Sequence, residues 1–244
     1  MSEIPAQAVP ATISTGDPAV AMPLSAETLG AFAAVLVGVH AIGEERHLIE
    51  GHAGVVLSPV PDCAILNLRA TAGNGRAIAA LTAAVQDQIG ITLPTAVYGS
   101  TSDADARIRA LWTGPGDWLI TCPETGLNAT EAALREALAG ASGALTDVSH
   151  GYAVLNLSGP DARAVLAQGC GLDLHPAVFP EGHCAMTGLA RMRVLIDHLP
   201  LSAPRGGSFD VYVARSYAAS LWHFATTAAG EFGYRVRIMG TRGK

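Results

Sequence analysis

At 244 residues, half of them apolar, the chain is long enough to bury a sizeable core as one large or two small domains. A formal net charge of −6 and the lack of any basic stripe exclude the electrostatic footprint of a nucleic-acid binder. The only lysine is Lys244, so the body of the chain offers none for a Schiff base or a lysine general base. Cys63, Cys122, Cys170 and Cys184 form no C-x-x-C pair and are expected as reduced thiols in a cytoplasmic protein.

Residues 1–24, rich in Ala and Pro, read as a flexible arm without the Lys or Arg that opens a signal peptide. Residues 25–61 read as a helix and connecting segment, with Ser25 capping a helix from about Ala26 to about Val39. The run Leu29 to Ile42 is too short to span a bilayer and contains His40, so no membrane is expected. Apolar on most sides, that helix calls for burial in the core or against a partner.

From Asp62 the chain reads as an α+β domain, residues 62–244, made of two similar halves at about 62–148 and 149–232. In the first, CAILNLRA is a strand, and Ile78, Leu81, Val85 and Ile89 recur at the spacing of one helical face. Strand RIRALWT, a Gly114-Pro115-Gly116-Asp117 turn and strand WLITC follow. Asn128 with Glu131 suggests a capped helix, and ALTDV closes the half. The second half repeats the order: AVLNL, a helix begun by Pro160 and stopped by Gly169, and one long strand TGLARMRVLI. Strand FDVYVA comes next, then a helix capped by Ser216 that carries Tyr217, Leu221, Trp222 and Phe224. Three landmark pairs recur: Leu66-Asn67-Leu68 with Leu155-Asn156-Leu157, Asp117 with Asp210, and Asn128 with Ser216. The expectation is a pair of β-α-β-β-α units.

Five groups of residues stand out as candidates for chemistry. Asp147, Ser149 and His150 are the residue types of a hydrolase triad, but neighbours on an extended segment diverge and no G-x-S-x-G elbow surrounds Ser149. They read as backbone-satisfying groups at the start of a strand. Cys170, His175, His183 and Cys184 fit no zinc spacing. Thr71 to Arg76 has two glycines but lacks the third glycine and the downstream acid of a dinucleotide fingerprint. Trp112, Trp118 and Trp222 read as core, and Asp197-His198 as an exposed acid/His pair at a hairpin end. No residue is assigned as catalytic, cofactor-binding or metal-ligating.

The runs GPGDWLI, LTDVSHGYAVLNLSGPDARAVLAQGCGLDLHPAVFPEGHCAMTGLARMRVLI and FDVYVARSYAASLWHF resemble the gamma subunit of heterotetrameric sarcosine oxidase, from about Asp62 to Phe232. DVSHG followed by LSGPDA also resembles the opening motif of the glycine-cleavage T-protein, a tetrahydrofolate-dependent aminomethyltransferase of the same fold. The resemblance implies a small, cofactor-free subunit docked on a larger alpha chain, with beta and delta chains alongside. FAD, FMN, NAD and tetrahydrofolate would lie on those other subunits of a complex that converts sarcosine to glycine, hydrogen peroxide and methylene-tetrahydrofolate. Where the T-protein has a Gly-rich hairpin with two consecutive acids, RMRVLIDHLP has only Asp197. The alternatives are the equivalent subunit of an N-methylglutamate dehydrogenase and a stand-alone folate-dependent transferase.

Overall fold

The computed structural model describes residues 46–49, 51–70, 75–141, 143–200 and 206–237. The expected arm, the helix around Leu29 to Ile42, residues 71–74 and residues 201–205 lie outside the described residues.

Two sheets form. The first contains β3 (Cys63–Ala70), β4 (Ser100–Ser102), β5 (Arg109–Gly114), β6 (Asp117–Pro123) and β7 (Gly143–Asp147), in the order β4-β5-β6-β3-β7. The second contains β1 (Arg46–His47), β2 (Val55–Pro59), β8 (Tyr152–Ser158), β9 (His183–Leu189), β10 (Met192–His198), β11 (Ser208–Ala214) and β12 (Tyr234–Val236). Its order is β1-β12-β2-β8-β11-β10-β9. Helices α1 (Gly75–Ile89) and α2 (Leu127–Ala139) cover the first sheet; α3 (Ala162–Ala167) and α4 (Ala218–Ala229) cover the second.

Strand alternation builds the layers. Leu66, Leu68, Trp118 and Ile120 face Leu81, Val85 and Leu134 of the helices, while Ile65, Leu111 and Leu119 turn to the opposite face. In the second sheet Leu155, Leu157, Val211 and Val213 face Val165, Leu221 and Ala225, while Val154, Leu195 and Tyr212 turn to meet the first sheet. The result is a helix–sheet–sheet–helix sandwich with three apolar layers. Each fully buried leucine contributes about 1.5–3 kcal/mol.

The repeat is present, with one exchange. β2, ahead of the boundary drawn at Asp62, pairs with β8 in the second sheet, with Ser58 opposite Asn156. β7 pairs with β3 in the first sheet, with Thr146 opposite Asn67. Each unit therefore lends its leading strand to the other unit's sheet. β7, expected to close the first half, occupies beside β3 the place that β2 occupies beside β8.

Local predictions need several corrections. Asn128 does not cap α2, whose start follows a 3-10 turn at Glu124–Gly126 without a side-chain cap; Glu131 pairs with Arg135 one turn on instead. Ser216 likewise sits within a 3-10 turn, Arg215–Tyr217, before α4, and Tyr217 is exposed rather than on the apolar face. These turns, and β6 and β11 before them, begin 91 residues apart, so Asp117 is the counterpart of Ser208, not of Asp210. Pro160 precedes the helix, which starts at Ala162. Gly169 is not left-handed: a Cβ there would lie 2.6 Å from the Phe224 ring and 3.2 Å from the Ala190 nitrogen, so contact demands the glycine. TGLARMRVLI is a hairpin rather than one strand, turning on Ala190 and Arg191 at φ 47° and 67°. Such a two-residue turn favours Asn-Gly, and Ala-Arg gives no such signal. Here the Ala190 N–H donating to the Gly169 carbonyl at 2.9 Å helps hold it.

Candidate functional site

The layer between the sheets is apolar at its middle and polar towards both ends. Arg109 on β5 and Asp197 on β10, at 2% and 0% exposure, form a two-pronged pair joining the sheets. Nε donates to Oδ2 at 2.7 Å and Nη2 to Oδ1 at 2.8 Å, while Nη2 also donates to the Ser100 hydroxyl at 3.0 Å. Matched forks of this kind are the geometry of a charged pair. Burial works against the guanidinium's charge, but the Asp197 carboxylate outweighs it and holds Arg109 above its ordinary value. Burial pushes the Asp197 carboxyl upward, Asp210 on the adjacent strand adds to this, and Arg109 opposes it.

Asp210 is buried and accepts from Asn156 Nδ2 at 2.8 Å; the same amide donates to the Ser208 hydroxyl at 2.9 Å. The first unit has the equivalent asparagine, Asn67, donating to Asp117 Oδ1 at 2.7 Å and to the Trp118 carbonyl at 3.2 Å. That end is open. A cleft of about 480 Å³ lies over Asn67, Arg69 and Asp117 and reaches across to Met186, Arg193, Leu195 and Tyr212 of the second sheet. Arg69 Nη2 pairs with Asp117 Oδ2 at 2.8 Å at its rim.

Asp197-His198, read from sequence as an exposed pair, is neither exposed nor a pair. Asp197 faces the other sheet, whereas His198, 3% exposed, stacks 4.4 Å from Phe209 on the helix side. β10 lies between β9 and β11 with both faces covered from Val194 onward, so Val194 to His198 are buried without alternation. Burial lowers the His198 pKa, favouring the neutral ring.

At the junction of the units, Ser149 folds back on Asp147. Its N–H and hydroxyl donate to Asp147 Oδ1 at 2.9 and 2.6 Å, and its oxygen accepts from the Ile65 N–H at 2.9 Å. Ser149 thus ties the junction to β3. His150 is exposed and makes no hydrogen bond to Ser149 among the described residues.

The Cys and His residues are dispersed. Cys184 donates to the Gly99 carbonyl at 3.1 Å, and burial pushes its thiol up to about 12. Cys170 lies 3.7 Å from the Thr187 hydroxyl, His175 Nδ1 accepts from the Ala177 N–H, and His183 packs edge-on against Phe179. Among the described residues no group of three such side chains could hold a metal. Trp118 is buried with Nε1 donating to the Pro94 carbonyl at 2.7 Å, Trp222 lies on the buried face of α4, and Trp112 lies between two apolar layers. Sequence reasoning missed Arg109 and the cleft. Their only local trace is an arginine at a strand start.

A family model described as sarcosine oxidase, gamma subunit family, matches residues 73–231. The chain belongs to that family. Sarcosine oxidase subunit gamma of Arthrobacter sp is 36% identical over 157 residues, covering 62% of this chain and 73% of that one. The Corynebacterium sp. (strain U-96) subunit gamma is 35% identical over 148 residues, covering 61% of this chain and 68% of that one. Among solved structures, a chain of heterotetrameric sarcosine oxidase from Corynebacterium sp. U-96, in complex with pyrrole 2-carboxylate, aligns with a TM-score of 0.66 at 30% identity. The alignment covers 83% of this chain and 95% of that one. Glycine cleavage system aminomethyltransferase T from Bartonella henselae aligns with a TM-score of 0.54 at 14% identity, over 84% of this chain and 58% of that one. That likeness is one of fold, and the α+β architecture expected from the repeat is the one observed.

Proposed function

We propose that the chain is the gamma subunit of a heterotetrameric sarcosine oxidase, a small subunit that docks on larger ones and supports their assembly. The alignment over 95% of a chain from such an enzyme carries the reading. FAD, FMN, NAD and tetrahydrofolate belong, on this reading, to alpha, beta and delta partners, and the complex works in the cytoplasm. No helix among the described residues is long and apolar enough to cross a membrane. In keeping with an assembly role, Asp197 is tied to Arg109 and Ser149 to the backbone of β3.

Co-expression with the candidate larger subunits tests it. The expected result is co-purification, with flavin absorbance and sarcosine oxidation in the complex and a colourless chain when purified alone. Stoichiometric flavin on the isolated chain, or sarcosine turnover by it, would overturn the assignment.

A further inference from the structure

We propose that the open cleft between the two sheets binds a small planar aromatic monocarboxylate. The inference is independent of subunit assembly, because the cleft is built by this chain alone.

The walls have the right chemistry. The volume of about 480 Å³ lies within the range of small-molecule sites, which are mostly apolar with a few convergent polar groups. Met186 supplies half-buried apolar surface, and Tyr152 and Tyr217 border the same space from two segments of the second unit, with Leu119, Leu195 and Tyr212 buried behind them. A thioether and two phenol rings favour a flat, polarisable occupant. Tyr217, 51% exposed at the mouth, is a large apolar surface that packing within the described fold does not account for.

The charges select the sign. Three charged residues line the cleft, and two of them, Arg69 and Asp117, neutralise each other at 2.8 Å. The Arg193 side chain is exposed and makes no hydrogen bond or ion pair among the described residues. One uncompensated guanidinium calls for one negative charge, and its planar fork suits a carboxylate. At the opposite end of the same layer the polar groups are buried and bonded to each other, Asn156 to Ser208 and Asp210, and Arg109 to Asp197.

The test uses the full chain and three probes: benzoate, indole-3-acetate and the uncharged analogue benzamide. Titration is followed by calorimetry and by amide chemical shifts. Both carboxylates should bind saturably at one site, with dissociation constants of about a millimolar or below for ligands of this size. The shifts should concentrate at residues 113–119, 151–152, 186 and 193–195. Benzamide, and benzoate with Arg193→Gln, should each bind at least about tenfold more weakly, since a charged hydrogen bond is lost. Arg193→Lys should recover part of the affinity, and Tyr217→Ala should weaken binding about threefold or more through lost ring contact. Both side chains are exposed, so the variants should melt like the parent. Equal affinity for benzamide and benzoate would overturn the proposal, as would an Arg193→Gln chain that binds benzoate undiminished, shifts elsewhere, or no saturation.

Discussion

In the first unit Leu111 faces the inter-sheet layer opposite Leu119; in the second, Asp197 faces it opposite Asp210. Stepping two residues along each pair gives Arg109 opposite Thr121 and Leu195 opposite Tyr212. The same strand positions are therefore apolar in one copy and charged in the other. A buried ion pair seldom adds much net stability over well-packed apolar side chains, because two ions must leave water. What it penalises is misalignment, since any other register between the sheets strands a charge. The second unit's buried carboxylates are intelligible only with the first unit's arginine across from Asp197.

The sharpest way to break that view is to remove the difference. Arg109→Leu or Asp197→Leu alone should cost about 3–5 kcal/mol by denaturant unfolding, because each leaves its partner charged and buried. Together the two changes place leucine where the other unit has Leu195 and Leu111, and the double variant should return to within about 1–2 kcal/mol of the parent. A double variant no better than the singles would show that the pair is not the coupled unit described.

A second comparison sets the two asparagines against each other. Asn156→Ala leaves Asp210 and Ser208 short of a donor in a sealed site and should cost about 2–3 kcal/mol. Asn67→Ala opens onto the cleft, where water can replace the amide, and should cost about 1 kcal/mol or less. Equal losses in thermal melts would mean that the cleft is not wet.

The smallest effect concerns Cys184, whose place beside Asp197 matches that of Ser100 beside Leu111. Its thiol is raised from 9.0 to about 12 in the fold, so the folded state holds its proton more tightly than the unfolded chain. The contribution is complete below about pH 9 and is lost as pH rises from there towards 12. A Cys184→Ser chain should show a flatter decline in stability over that window. In the parent at pH 8, a maleimide should label half-buried Cys63 and Cys170 while sparing Cys184 and Cys122 until the chain is denatured.

Much of this was written locally in the chain. The Leu81 and Val85 face marked α1, CAILNLRA marked β3, and the Leu-Asn-Leu landmark correctly located equivalent strand positions, because periodicity and burial act over a few residues. The failures are non-local. Nothing near Arg109 announces an aspartate 88 residues away, and a two-residue turn built on Ala-Arg is set by the backbone it packs against. Asp197 looked exposed because charge usually means surface, yet its strand is central and covered on both faces. Capping by Asn128 and Ser216 failed for one reason: a 3-10 turn takes up the chain before each helix, so the cap position moves away from the polar side chain.

The exchange of leading strands also shapes how the chain leaves the ribosome. β2 is synthesised well before both its neighbours: its antiparallel one emerges only with Tyr152–Ser158, and its parallel one only with Tyr234–Val236. For the synthesis of nearly a hundred residues, that strand must wait with its backbone groups unspent. A nick between the two units would sever the sequence without freeing either half, since each would still clasp a strand of the other. The repeat is legible as two modules, but the molecule folds as one.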